Sequence, residues 1–342
     1  MKAVRIHEFG GPDVLRYEDI PEPQLRKDQV LVRIKACAMN HLDLWVRKGM
    51  PGVKLPHILG SDVAGEIVEV GEYVSGFKTG QRVLLAPMHF CGHCVKCVSG
   101  LQNQCREFTV LGNAVDGGNC ELIAVPAVNV VPIPDSANLD FNQAASVPLV
   151  FTTGWHMLTG RAAIRPGQMV LVLGANSGVG IAGIQIAKLF NCTVIATAGD
   201  DRKAEFAREL GADHVINHYQ QKISEEVRRI TNKEGVDIVM EHVGPATWDE
   251  SIRSLNPAGT LVTCGATTGP QASIDLRFVF SRQLSILGSY MGTMGEMHEV
   301  LKHVFSGRLK PVVDRAFPLS ETRAAHEHME KSQMLGKIVI NP

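Results

Sequence analysis

The sequence predicts an α/β protein of two domains, one β-rich and one built on a doubly wound parallel sheet. Three observations carry this. The first 140 residues read as short strands parted by Gly and Pro turns. From Met169 onward, apolar strands alternate with amphipathic helices. Within the first of these regions, the run CGHCVKCVSGLQNQC sets Cys91, Cys94, Cys97 and Cys105 at the spacing C-x2-C-x2-C-x7-C. A chain of 342 residues exceeds one comfortable core, which also favours two domains.

The N-terminal strands are KAVRIH, VLRYEDI, QVLVRIKACAM, AGEIVEVG and QRVLLAP, separated by GGPD, PEPQ and YVSGFKTG. Alternating β-branched residues between turn formers are the mark of half-buried strands. After the cysteine run, NCELIAVPAVNVVPIP reads as further strand. FNQAASVPLVFTTGWHMLTG has helical spacing. The strands MVLVLG, TVIATA, HVINH, VDIVMEHV and TLVTCG then alternate with the helices VGIAGIQIAKLF, RKAEFARELGA, QKISEEVRRITNK and ATWDESIRSL. Such alternation gives βαβ units and a parallel sheet. SILGSYMG reads as one more buried strand. The tail contributes two helices and the strand KIVINP. The expected domains are 1–149 with 293–342, and 150–292.

Four closely spaced thiolates can enclose one tetrahedral zinc with no position left for water, so the expected ion is structural. The remaining cysteines, Cys37, Cys120, Cys192 and Cys264, stand among apolar residues and read as buried free thiols of a reducing, cytoplasmic compartment. Hydrophobic residues make up 45%, as in an ordinary globular protein, and the net charge of −1 offers no basic stripe for a nucleic acid. The most apolar stretch, Met169 to Ala187, is interrupted by glycines and an Asn-Ser pair, which argues against a membrane span.

The strand MVLVLG runs into Gly174-Ala175-Asn176-Ser177-Gly178-Val179-Gly180, which opens a helix. Glycines there let the backbone approach a pyrophosphate, and the helix N-terminus presents free N–H groups to it. NAD enzymes usually place an acid at the end of the second strand. Here that strand ends at Ala198-Gly199; Asp200 and Asp201 come late, and Arg202 and Lys203 follow. The expectation is NADP(H), with NAD(H) as the alternative and a solvated helical turn as the plain reading of Arg202 and Lys203.

The strand pattern, the cysteine lobe, GSDVAGEIVEVG (Gly60 to Gly71) and GANSGVG (Gly174 to Gly180) together resemble the medium-chain dehydrogenase/reductase superfamily over essentially the whole chain. That resemblance implies a GroES-like catalytic domain and a Rossmann cofactor domain. In zinc alcohol dehydrogenases of this superfamily, three side chains hold a catalytic zinc. At the matching positions this chain has Asn40 in Asn40-His41-Leu42-Asp43, Ser61 in Gly60-Ser61-Asp62, and Pro148 before Thr152-Thr153. These do not make a zinc site. They resemble the quinone oxidoreductase pattern instead, except that Trp45 stands where that group often has a tyrosine, and an indole cannot deliver a proton as a phenol can.

The resemblance implies that His41 contacts the cofactor pyrophosphate, that Thr152 sits near the nicotinamide, and that Val243, Gly244, Gly265 and Ala266 line the cofactor. It implies a homodimer or homotetramer paired through SILGSYMG. Without a catalytic metal the substrate must spread its own developing charge, as quinones and α,β-unsaturated carbonyls do. Asn40 is the expected hydrogen-bond donor in the cleft, with turn capping as its rival role. Asp43 is expected to orient the cleft backbone. The alternatives are a zinc-type alcohol or ketone oxidoreductase with displaced ligands, for which His41, Asp43, His57, Asp62 and His89 are candidate donors, and a non-enzymatic, crystallin-like NADPH-binding protein.

Overall fold

The computed structural model describes residues 1–342. The chain forms two units: one of residues 1–149, 293–307 and 311–342, the other of residues 150–292 and 308–310.

The first unit is organised around the long strand Gln29–Ala38, which pairs antiparallel with Asp62–Val70, Leu122–Pro126 and Lys337–Asn341. The sheet continues through Arg82–Leu85 to Val130–Pro132 on one side and to Val313–Pro318 on the other. Val30, Val32, Ile34, Val63, Ile67, Val83 and Leu85 form its core. Gln29–Ala38 is buried on both faces over most of its length, so it lacks a clean polar alternation; the helix Phe141–Ala145 packs against it. A smaller sheet joins Leu15–Asp19, Lys2–Ile6 and His57–Ile58.

The second unit is a six-stranded, all-parallel sheet. Its spatial order is His214–Asn217, Thr193–Ala198, Met169–Val172, Val236–Glu241, Leu255–Thr263, Ser285–Gly288. In order of sequence this is 3-2-1-4-5-6, the doubly wound arrangement, whose order reverses between the first and fourth strands. The central strands are continuous apolar runs because helices cover both faces.

One element differs from the sequence expectation. Ser285–Gly288 is not a buried strand: it pairs on one side only, and three of its four residues are exposed. The short helix Leu276–Ser281 precedes it, with Leu276 and Phe280 about 70% exposed. The helix His41–Gly49 begins directly after Asn40. Its signal is Asn40-x-x-Asp43, an Asn before the first turn with an acid three residues on.

Candidate functional site

In the second unit, the loop after Met169–Val172 and the turn after Val236–Glu241 flank the point where strand order reverses. Ligands bind at this point in doubly wound sheets. Gly174, Asn176 and Ser177 lie in the loop; Gly178, Val179 and Gly180 form the first turn of the helix Gly178–Leu189. Ser177 caps that helix by accepting the Gly180 N–H. A Cβ on Gly180 would sit 2.2 Å from the Gly174 carbonyl oxygen, so a side chain there would force the loop apart.

The opposite wall is tightly held. The buried Glu241 carboxylate accepts the N–H groups of Val243 and Gly244 and the Thr247 hydroxyl. The Thr268 hydroxyl donates to the Val243 carbonyl. A Cβ on Gly265 would lie 2.8 Å from the His242 carbonyl oxygen, and one on Gly244 would lie 3.3 Å from the Ala266 Cα. Val243, Gly244, Gly265 and Ala266 are thus brought together. The His242 ring crosses to the glycine loop, with Nε2 2.8 Å from the Leu173 carbonyl oxygen and 3.4 Å from Ser177 Oγ. His242 and Glu241 are not apparent as site residues in the sequence, because their roles depend on which strands are neighbours.

At the end of Thr193–Ala198, Asp200 caps the helix Asp201–Glu209 by accepting the Lys203 N–H, and its other oxygen is 3.5 Å from Lys203 Nζ. Arg202 is exposed in the first turn of this helix. Tyr219 closes the corner: a Cβ on Gly199 would lie 2.8 Å from its ring. The His218 ring lies tilted against Tyr219 at 4.5 Å between centroids, and its pKa is pushed down by burial and then by Lys203. Thr152 is completely buried, with no hydrogen-bond partner for its hydroxyl. An orphaned buried hydroxyl and a glycine cradle at a helix N-terminus both fit a bound dinucleotide.

In the first unit, Asn40, Asp43, Asp62 and Lys337 form a buried polar cluster. None is more than 6% exposed. Asp43 accepts the Asn40 N–H at 2.6 Å and the Gly60 N–H at 2.9 Å. Burial raises its pKa to about 6 against these two stabilising bonds. Asn40 Nδ2 donates to Asp62 Oδ2 at 3.0 Å. Lys337 Nζ donates to Asn40 Oδ1 at 2.6 Å and to Asp62 Oδ2 at 3.0 Å. Asp62 Oδ1 accepts the N–H of Leu149, at the start of the helix Pro148–Trp155. His41, the first residue of its helix, lies beside Trp45 at 6.5 Å between ring centroids. Lys337 is the residue that sequence reasoning misses here; nearly 300 positions separate it from Asn40.

This cluster does not suit a metal. An amide, a hydroxyl at Ser61 and Pro148 are poor zinc donors, and the Lys337 ammonium already occupies the Asn40 and Asp62 oxygens. His57 is engaged by the Gly112 carbonyl and Asp116. The cysteine lobe does suit one. Sulfur separations are 3.9 Å for Cys91–Cys97, 3.6 Å for Cys94–Cys97 and 3.6 Å for Cys105–Cys91. A tetrahedron with zinc–sulfur bonds near 2.3 Å has edges of about 3.8 Å. The four cysteines form no disulfides and could hold a structural zinc.

Two family models match the chain: the alcohol dehydrogenase GroES-like domain over residues 26–135 and the zinc-binding dehydrogenase model over 178–306. An acryloyl-coenzyme A reductase of Sulfurisphaera tokodaii is 30% identical, covering 100% of both chains. The chain belongs to the medium-chain dehydrogenase/reductase superfamily. The human quinone oxidoreductase, another relative in this superfamily, is 29% identical over 99% of this chain and 97% of its own. A crystal structure described as an NAD-dependent alcohol dehydrogenase superposes with a TM-score of 0.97 at 41% identity, covering all of both chains. As a medium-chain dehydrogenase/reductase the protein is an oxidoreductase of a family that binds NAD(P)H. No helix is long and apolar enough to cross a membrane.

Proposed function

We propose that the protein is an NADPH-preferring reductase of quinones or α,β-unsaturated carbonyls, working without a catalytic metal and carrying one structural zinc. The observation that carries this reading is the Asn40–Asp62–Lys337 cluster. It puts an amide and an internal ion pair where a metal-dependent relative needs soft, free donors. The acryloyl-coenzyme A reductase is named for an α,β-unsaturated thioester, and the quinone oxidoreductase for another conjugated acceptor.

When bound, the nicotinamide dinucleotide supplies the hydride. Gly174 to Gly180 would receive its pyrophosphate. Lys203 and Arg202, beside Gly199, favour a 2′-phosphate, because Asp200 is committed to capping. Val243, Gly244, Gly265 and Ala266 line the dinucleotide, and the Thr152 hydroxyl awaits a partner near the nicotinamide. Asn40 donates an N–H to the substrate oxygen on which charge develops. Asp43, with both oxygens spent on backbone N–H groups, holds the Asn40 and Gly60 segments in place. Solvent supplies the proton. The exposed edge Ser285–Gly288, with Ile286 and Tyr290 at the surface, supports a homodimer or homotetramer formed by strand pairing. The free thiols Cys37, Cys120, Cys192 and Cys264 support a cytoplasmic location.

The test is an NADPH-oxidation screen over quinones, enones and ketones, with NADH as control, on protein of measured zinc content. Turnover of conjugated acceptors at about one zinc per chain is the expected result. The 41% identity to the alcohol dehydrogenase structure favours a second reading, an alcohol or ketone oxidoreductase with displaced ligands. Two zincs per chain with ketone turnover would establish that instead. Tight NADPH binding with no turnover would indicate a non-enzymatic, crystallin-like role.

A further inference from the structure

We propose that Lys337 is a positioning residue: its ammonium selects the orientation of the Asn40 amide. The role given to Asn40 rests on the reductase reading above.

An amide can sit either way round in a polar pocket, and its two ends differ only in donating or accepting. An ammonium only donates and a carboxylate only accepts. Lys337 Nζ lies 2.6 Å from one end of the Asn40 amide, and Asp62 Oδ2 lies 3.0 Å from the other. The oxygen must therefore face Lys337 and the nitrogen Asp62. The direct Lys337–Asp62 bond, at 3.0 Å, closes the triangle. Nδ2 carries two hydrogens. One is taken by Asp62; the other reaches only the Ala38 carbonyl, at 3.5 Å, too far for a good bond. This second N–H is the one left to donate to a substrate.

The backbone places the ammonium. Lys337 begins the strand Lys337–Asn341, and the Ile338 carbonyl next to it accepts the Met39 N–H, one residue before Asn40. Lys337 is 5% exposed and Asp62 is fully buried, so each charge needs the other. A positive charge this close also disfavours a metal ion at the same oxygens. The consequence is a site that spends its carboxylate and amide on an internal cation and keeps one oriented N–H.

The test compares wild type, Lys337→Met, the neutral double variant Lys337→Met with Asp62→Asn, and Lys337→Arg. In Lys337→Met, kcat/KM for an enone or quinone should fall at least tenfold, with the NADPH dissociation constant unchanged. The double variant should regain thermal stability relative to Lys337→Met without regaining kcat/KM, because the amide introduced by Asp62→Asn can itself flip and no longer fixes its neighbour. Lys337→Arg should recover part of the lost rate. Independently of turnover, the Asn40 side-chain amide resonances, assigned with Asn40→Asp, should show one strongly shifted proton in wild type and lose that inequivalence in Lys337→Met. Unchanged kcat/KM in Lys337→Met, full recovery in the double variant, or an Asn40 amide signal indifferent to Lys337 would each overturn the proposal. Absence of turnover in wild type would defeat the reductase reading, while the amide resonances would still decide the positioning role.

Discussion

The Asp43 carboxylate accepts the Gly60 N–H at 2.9 Å, tying the start of the His41–Gly49 helix to the turn before the Asp62 strand. Its other oxygen holds the Asn40 N–H, so both oxygens serve backbone donors in a fully buried place. Burial outweighs those bonds and raises the pKa from 3.8 to about 6. Between these values the folded protein holds a proton that the unfolded chain has released. This residue therefore makes stability fall as pH rises from about 4 to 6, by on the order of 3 kcal/mol, with no further change above. Asn at this position cannot titrate, and it offers one acceptor where two donors point. Urea unfolding at pH 4, 5, 6 and 7 should show Asp43→Asn less stable than wild type. The wild-type curve should gain on the variant's as pH falls from 6 to 4; parallel curves would rule out the shifted carboxyl.

Gly180 tests the cofactor cradle. Alanine there would place a methyl 2.2 Å from the Gly174 carbonyl oxygen, inside any permitted contact. The loop must move, while the helix itself gains up to about 1 kcal/mol from the better helix former. Gly180→Ala should therefore weaken dinucleotide binding at least roughly tenfold, a cost of about 1.4 kcal/mol, with little change in melting temperature. Fluorescence titration with NADPH checks this, and unchanged affinity would show that the loop does not carry the pyrophosphate.

Lys203 tests cofactor choice. Its amine lies near the Gly199 corner, against the Asp200 carboxylate. A charge-assisted bond to a 2′-phosphate is lost in Lys203→Ala, whereas a ribose hydroxyl loses little. KM for NADPH should rise about tenfold and KM for NADH by less than about twofold. Equal effects on both would assign Lys203 to the helix surface alone.

Cys97, one of the two buried members of the lobe, tests the metal. Cys97→Ser should lower the zinc content from about one per chain toward zero and reduce the melting temperature, since a closed zinc site contributes to folding. Hydride transfer per folded molecule should change by less than about threefold if the ion is structural. Loss of turnover with the fold intact would make the ion catalytic.

Much of this protein follows from local sequence. The glycine loop is recognisable because strand, glycines and helix are consecutive, so its cradle forms within a few residues. The cysteine lobe is likewise local: four thiols within 15 residues can meet only a short distance apart. The parallel sheet shows in the strand–helix alternation, because crossovers impose that spacing.

Tertiary structure decided the rest. Asn40-x-x-Asp43 is ambiguous in sequence, since the same residues serve a metal site or a helix start. Only pairing of the Lys337 strand with Gln29–Ala38 brings an ammonium to Asn40. His242 reaches the glycine loop because the first and fourth strands are neighbours, and Tyr219 closes on Gly199 because the second and third are. The four cysteines that first stand out are a short-range arrangement, read directly from their spacing. The chemistry of the site depends on contacts between residues far apart in the chain, and no local pattern encodes those.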